Sequence, residues 1–199
     1  MGRRIGVLAL QGDFREHCEA LAGLGHDPIE IRNVEQLWSS DALIIPGGES
    51  TTISRLIISN GLLDPLRQFC AEGWPVWGTC AGAILLAANV DNLDRPSIGA
   101  MEITVRRNAF GRQVASFEAE LDVEELGPPP FRAVFIRAPL ISSVRDSARV
   151  LAHLPDGGIV AARQDHLLAT SFHPELTEDR RFHEYFLAIR AHTPARTAV

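Results

Sequence analysis

The sequence has little of what secreted, membrane-spanning or nucleic-acid-binding proteins require. Its 199 residues include three cysteines and no CxxC pair, so neither a disulfide framework nor a zinc site is expected. The longest strongly apolar run, residues 81–88, is far shorter than the roughly 20 residues that cross a bilayer. With 19 Lys+Arg against 25 Asp+Glu and no basic run longer than a pair, we expect no binding to nucleic acid or to an anionic membrane.

Targeting signals are also scarce. Arg3-Arg4 precedes a short apolar run, residues 5–10, but that run ends at Gln11-Gly12-Asp13 without a small-residue cleavage site. It therefore predicts a core strand rather than a signal peptide. Gly6 stands where the N-myristoylation pattern needs Ser or Thr. The cytoplasm is the expected location.

The composition indicates a globular chain. Hydrophobic residues make up 46% of it and charged residues 22%, which excludes a disordered or fibrous protein and allows a sizeable core. Neither a repeat nor a linker interrupts the sequence. We expect one domain over residues 1–191 and a frayed tail over residues 192–199.

Apolar runs alternate with helical spacing in the first half of the chain. Buried strands are predicted at residues 5–10, 28–31, 42–45 and 76–78, and helices at 14–24, 50–57, 62–69 and 81–88. Ser50 and Thr51 are expected to cap the second helix. From about Met101 strand-like segments dominate, with a hairpin turn at 156–158 and a closing helix at 180–189. The pattern predicts an α/β, three-layer fold with an open, mixed, mostly parallel sheet flanked by helices.

The sharpest chemical motif is WGTCAG, residues 77–82, where a strand runs into a helix through a turn. Gly78 and Gly82 flank Cys80 and permit the strained turn that holds a nucleophile clear of the backbone. At a helix N-terminus, the dipole and free N–H groups favour a thiolate and can stabilise an oxyanion. In the alternative interpretation, Cys80 is a small buried hydrophobe, as Cys18 and Cys70 are expected to be on their helices.

A second motif is SFHPE, residues 171–175. In an extended chain, residues two apart point the same way, so Glu175 would orient the imidazole of His173 at the end of a strand. Together with Cys80 this predicts a nucleophile, a general base and an orienting carboxylate. Alone, His-Pro-Glu also fits an ordinary turn. The remaining histidines are interpreted as surface or core-edge residues: His17, His26, His153, His166, His183 and His192.

A third motif, PGGESTT, residues 46–52, places a glycine turn between a strand and a helix. Its N–H groups can bind an anion at the sheet edge expected for Cys80, although a plain strand–helix turn is an equal alternative. The loop lacks the lysine and the spacing of a nucleotide-binding P-loop.

These motifs together resemble the triad-type (class I) glutamine amidotransferases, and more narrowly the glutaminase subunits of pyridoxal 5′-phosphate synthases. The similarity runs through five segments, residues 6–12, 45–52, 107–113, 135–139 and 171–177. The triad motifs are common to the whole superfamily. The segments LQG, RNAFGRQ and FIRAP are specific to these subunits.

The resemblance implies a flavodoxin-like class I glutaminase fold and hydrolysis of L-glutamine to L-glutamate and ammonia through a thioester on Cys80. His173 would serve as acid and base, Glu175 would hold it, and N–H groups of Gly48 and Ala81 would form the oxyanion hole. The implied glutamine contacts are Gly48, Glu49, Ser50, Arg107, Ile136 and Arg137. Ammonia would pass to a synthase subunit that builds pyridoxal 5′-phosphate, docked near Gln11. Neither a metal nor an organic cofactor is implied.

Three other functions remain open from the sequence. A glutaminase for nucleotide or histidine synthesis would keep the triad but lack the RNAFGRQ and FIRAP segments. An intracellular cysteine peptidase or stress-response hydrolase would use a similar turn on peptides. A non-catalytic interaction module would leave the Cys-His-Glu set unexplained.

Overall fold

The computed structural model describes residues 2–91, 96–107, 109 and 116–191. The strands are β1 (Arg4–Leu8), β2 (Asp27–Ile31), β3 (Ala42–Ile45), β4 (Val76–Thr79), β5 (Ala87–Asp91), β6 (Met101–Arg106), β7 (Ser116–Leu121), β8 (Phe131–Ile136), β9 (Leu140–Val144), β10 (Arg149–His153), β11 (Ile159–Gln164) and β12 (Leu167–Thr170). The helices are α1 (Phe14–Gly23), α2 (Val34–Trp38), α3 (Ser50–Ser59), α4 (Leu63–Ala71), α5 (Ala81–Leu86) and α6 (Arg181–Ala188). A 3₁₀ turn covers Pro174–Leu176.

Within the described residues, ten strands form one mixed sheet in the order β2-β1-β3-β4-β12-β11-β9-β6-β5, with β10 beside β11. The strands from β2 to β12 in this order run parallel, and β11 and β9 then pair antiparallel with their neighbours. β7 and β8 form a separate antiparallel hairpin. The predicted α/β class, with a mixed sheet whose second half is antiparallel in part, is confirmed.

The sheet is covered on both faces because alternate side chains of a strand point to opposite sides. In β3, Ala42 and Ile44 join a core with α1, α6 and the β7–β8 hairpin. Leu43 and Ile45 join the opposite core, with α2, α3 and α4. Each fully buried aliphatic side chain of this kind contributes about 1.5–3 kcal/mol. The sheet therefore forms the middle of three layers, with one core on each of its faces.

Parallel pairing brings the carboxyl ends of five strands, β2, β1, β3, β4 and β12, to one edge of the sheet. Ile45 lies opposite Gly78 in the β3–β4 pair, and Thr79 opposite Thr170 in the β4–β12 pair. In an open α/β sheet, ligands bind at this edge. The turns that leave it carry Gln11, Gly48, Cys80 and His173.

Several predicted boundaries differ from the structure. The helix after Cys80 ends at Leu86 because the chain enters β5 at Ala87. The short helix α2, with an Asn33–Gln36 capping box, and strand β9 were not predicted. The tail 192–199, His192 and most of segment 107–113 lie outside the described residues. No helix in the described part of the chain is long and apolar enough to cross a membrane.

Candidate active site

Cys80 occupies a strained turn between β4 and α5. Its φ of 47° and ψ of −102° are unusual for a residue with a side chain, and its backbone N–H donates to the carbonyl of Thr170 at 2.8 Å. Gly82 allows this turn because a Cβ there would lie 2.0 Å from the carbonyl oxygen of Ile45. Only 6% of Cys80 is exposed, and its Sγ lies 3.8 Å from the carbonyl oxygen of Ile136. Such strain is typical of a held nucleophile.

His173 is held against two carboxylates. Its Nδ1 lies 2.7 Å from Oε1 of Glu175 and 3.4 Å from Oδ2 of Asp13. Its backbone N–H donates to Val134 of β8 at 2.8 Å. The remaining ring nitrogen, Nε2, is buried and has no hydrogen-bond partner within the described residues, and His173 lines the same cleft as Cys80.

The charges around His173 favour its protonated form. Burial opposes a positive imidazole, but the carboxylates of Asp13 and Glu175, together with Cys80, outweigh it and raise the pKa of His173 to about 12. A negative charge on Cys80 would add to this shift. The arrangement therefore favours an imidazolium at His173.

The contact between His173 and Glu175 forms differently from the sequence interpretation. An extended chain was expected, but Glu175 lies in the 3₁₀ turn that begins after His173. The proline at the start of that turn fixes its φ and folds the carboxylate back onto the ring. The two residues meet as expected, through a turn rather than through strand alternation.

The prediction that His17 and His183 lie at the surface or the core edge is wrong, because both side chains are fully buried beside the triad. Nε2 of His17 lies 3.3 Å from Oε2 of Glu175 and 3.2 Å from Oγ1 of Thr79. Nδ1 of His17 lies 3.1 Å from Nε2 of His183. These residues come from α1, β4 and α6, and only their packing brings them together.

The glycine turn after β3 is tied to the loop after β1. The carbonyl of Gly47 accepts a hydrogen bond from the N–H of Asp13 at 3.1 Å. Oε1 of Gln11 accepts from the N–H of Glu49 at 2.8 Å. Gly48 lies between these two links and lines the same cleft as Cys80. Ala81, the first residue of α5, has no intrahelical acceptor for its N–H, and both Gly48 and Ala81, the expected oxyanion residues, line the same cleft as Cys80.

The expected caps of α3, Ser50 and Thr51, are wrong, because Glu49 is the N-cap. Its carboxylate accepts hydrogen bonds from the backbone N–H of Thr51 at 3.1 Å and of Thr52 at 2.7 Å. Although burial opposes its charge, the hydrogen bonds from these threonines lower the pKa of Glu49 to about 2. Nη2 of Arg107 lies 3.6 Å from this carboxylate.

One cleft of about 610 Å³, within the range of small-molecule sites, contains these groups. All six residues expected to contact glutamine line it, together with Cys80, Ala81 and His173. Glu175 lies behind His173, and Gln11 lies behind the glycine turn. The cleft also contains residues that sequence reasoning missed: Asp13, Ile84 and Ser116.

The spacing of Asp13 and His17 in the sequence could have predicted that they lie near the site. They are four residues apart at the start of the helix that follows β1, so they share one face near the ligand-binding edge. Their oxygen and nitrogen atoms converge on the triad. Ligand atoms of Asp13, His173 and Glu175 lie within 4.8 Å of one another, a spacing that could hold a metal ion. That the enzyme requires no metal remains a prediction.

Comparison with known proteins identifies the family. The profile of the SNO glutamine amidotransferase family matches residues 7–191. Two curated relatives, each named pyridoxal 5′-phosphate synthase subunit PdxT, are those of Herpetosiphon aurantiacus and Carboxydothermus hydrogenoformans. The first is 57% identical over 188 residues, 93% of this chain and 99% of its own. The second is 55% identical over 184 residues, 92% of this chain and 96% of its own.

Two solved structures have a similar fold. A crystal structure of a glutamine amidotransferase superposes with a TM-score of 0.88 at 52% identity, over 93% of this chain and 97% of its own. PurLQS from Thermotoga maritima, at 15% identity, matches with a TM-score of 0.71 over 94% of this chain and 98% of its own, which shows the fold alone. The resemblance drawn from the motifs is confirmed, and the chain belongs to the SNO glutamine amidotransferase family.

Proposed function

We propose that this chain is the glutaminase subunit of a pyridoxal 5′-phosphate synthase, hydrolysing L-glutamine and delivering ammonia to a partner synthase subunit. The observation that carries the proposal is a strained cysteine that shares a cleft with an arginine and with a histidine held by a buried carboxylate. The family description and the names of the curated relatives support it. No organic cofactor takes part in hydrolysis by these residues.

Acylation starts from a thiolate at Cys80 and a protonated His173. The thiolate attacks the side-chain amide carbon of glutamine, and the negative charge moves to the amide oxygen. N–H groups of Gly48 and Ala81 stabilise that charge, and each such donor is worth about 10²- to 10³-fold in rate. Collapse of the intermediate breaks the carbon–nitrogen bond and leaves a glutamyl thioester on Cys80.

The same step explains how His173 gives up its proton despite its high pKa. The thiolate is one of the charges that hold the proton on the imidazole. Once sulfur is bound to the acyl carbon, that charge is gone and the imidazolium becomes a better acid. His173 therefore protonates the departing ammonia.

Deacylation reverses the roles. Neutral His173 takes a proton from the water that attacks the thioester, and collapse of the tetrahedral intermediate breaks the carbon–sulfur bond and expels Cys80 as a thiolate. The new carboxyl group gives its proton to solvent, glutamate leaves, and the thiolate–imidazolium pair is restored. Glu175 fixes the ring orientation through its 2.7 Å contact with Nδ1, so that Nε2 exchanges the proton. The buried carboxylate also stabilises the imidazolium that forms.

Substrate contacts follow from charge. The guanidinium of Arg107 suits the α-carboxylate of glutamine, and its neighbour Glu49 keeps it at the cleft wall. Backbone groups around Ile136 and Arg137 end β8 beside Cys80 and suit the polar end of the substrate. Gly48 and Ser50 close the cleft from the opposite loop.

The proposal is tested by measuring glutamate and ammonia with the partner synthase present. Cys80→Ala and His173→Asn abolish turnover, whereas Glu175→Gln leaves a small residual activity because it keeps a hydrogen-bonding group. Cys70→Ala, a buried thiol away from the cleft, is the matched control and retains full activity. Wild-type rates in a folded His173→Asn protein, or cleavage of peptides but not of glutamine, would reject the proposal.

We further infer that the enzyme acts in the cytoplasm and that residues 1–191 form one domain. The three free cysteines suit a reducing compartment. Ten described strands from both halves of the chain share one sheet, which supports a single domain.

A further inference from the structure

The carboxylate of Glu175 has a second contact that the triad does not use. Its Oε1 faces His173, while Oε2 lies 3.3 Å from Nε2 of His17, and both side chains are fully buried. A buried carboxylate oxygen requires a donor, since an unsatisfied one costs about 1–3 kcal/mol or more. Nε2 of His17, 3.3 Å away, is in position to supply that donor.

The surroundings of His17 fix which nitrogen carries its proton. Burial, and next the neighbouring His183, hold the pKa of His17 well below its usual value, so the ring is neutral and has one N–H. With the proton on Nε2, that nitrogen can donate to Oγ1 of Thr79 at 3.2 Å, and Nδ1 accepts from Nε2 of His183. Oε2 of Glu175 lies 3.3 Å from the same nitrogen as an ion-pair contact and makes no hydrogen bond within the described residues. The opposite tautomer would aim a lone pair at the carboxylate.

Three elements hold the ring in that orientation. His17 lies on α1, Thr79 ends β4 directly before Cys80, and His183 lies on α6. The indole of Trp77 packs against both imidazoles at centroid distances of 5.7 and 5.0 Å. The donor is therefore positioned by the core before any substrate binds.

We propose that His17 is a positioning residue for the glutaminase reaction, whose Nε2–H anchors Oε2 of Glu175 so that Oε1 aligns His173 with Cys80. This inference rests on the proposed function of Glu175. Without the anchor, the carboxylate rotates and the imidazole loses alignment with the thiol. Misplacement of a catalytic group by about 1 Å costs up to about 10²-fold in rate.

A pair of substitutions separates this role from simple packing. Glutamine can place its amide nitrogen near the position of Nε2, whereas the amide of asparagine reaches only the position of Nδ1. We expect His17→Asn to lower kcat about 10- to 100-fold with little change in KM, and His17→Gln to restore most of kcat. Both variants lose part of the buried network, so their melting temperatures fall alike.

The controls distinguish failure of this inference from failure of the triad. His166→Asn removes a partly buried histidine that contacts the carbonyl of Cys70 far from the cleft, and it retains wild-type kcat. If Glu175→Ala is fully active, the triad itself is wrong. If Glu175→Ala is slow but His17→Asn is normal, or if His17→Gln is as slow as His17→Asn, only the role of His17 is rejected.

A measurement on the wild-type protein needs no variant to fold. Nitrogen-15 shifts of histidine-labelled enzyme report the tautomer of each ring, and His17 is assigned by its proximity to Thr79 and His183. We expect a proton on Nε2 and a bare Nδ1. A neutral ring protonated on Nδ1 would overturn the inference, since it offers Glu175 no donor.

Discussion

Gly47 offers a way to displace the base without touching a triad residue. A Cβ at this position would lie 2.4 Å from Cε1 and 2.9 Å from Nδ1 of His173. Ordinary contact begins at 3.4 Å, so the imidazole has to move by about 1 Å. The ring is already held by Glu175 and Asp13, so this shift breaks its alignment with Cys80.

We therefore expect Gly47→Ala to lower kcat by about 10²-fold, the cost of a 1 Å misplacement. The protein still folds, because overpacking of this kind costs about 1–3 kcal/mol and Gly47 does not adopt a positive φ. Steady-state glutaminase assays with the partner present give kcat and KM, and thermal melting gives the stability.

Gly23→Ala is the matched control. It adds the same methyl group where nothing lies within 4 Å, at the end of α1. This variant retains wild-type kcat and is stabilised by up to about 1 kcal/mol. A folded Gly47→Ala enzyme with wild-type kcat would refute the argument that Gly47 sets the position of His173.

Three further predictions concern reactivity, the partner and pH. A glutamine-derived electrophile labels Cys80 rapidly, but not Cys18 or Cys70, because burial raises the pKa of those thiols to about 11 and about 12; equal labelling in peptide maps contradicts this. We expect docking near Gln11 to align the Gly47–Gly48 oxyanion donor, so the free chain is about 10²- to 10³-fold slower than the complex, and Gln11→Ala removes that gain. A free chain that is as fast as the complex contradicts this prediction. Glu49→Gln lowers the melting temperature by about 2–4 °C at pH 7 through the lost cap. Because folding lowers the pKa of Glu49, this difference is full above pH 4.5 and disappears as pH falls through about 2; a constant difference contradicts it.

The parts of the site that sequence reasoning identified are local. The Cys80 turn and the Gly47-Gly48 turn are each written in a few adjacent residues, where a buried strand gives way to a helix. Glycines at fixed offsets carry that information because a side chain would collide there. Parallel strand order then brings the turns to one edge.

The parts that were missed depend on packing between distant segments. His17 and His183 are 166 positions apart, and their contact exists only because α1 and α6 cover the same face of the sheet. The cap of α3 was misassigned because Ser and Thr are common N-caps. Here the longer side chain of Glu49 reaches two N–H groups at once. Strand β9 was missed because its burial does not alternate cleanly.

The most direct test of the account is the covalent intermediate. Wild-type enzyme in complex with its partner is mixed with glutamine, quenched in acid within one turnover, digested and examined by mass spectrometry, with Cys80→Ala processed in parallel. The account predicts a glutamyl thioester on the peptide that contains Cys80 and no glutamate from the variant. A glutamyl group on Cys18 or Cys70, or glutamate formed at the wild-type rate by Cys80→Ala, would contradict it.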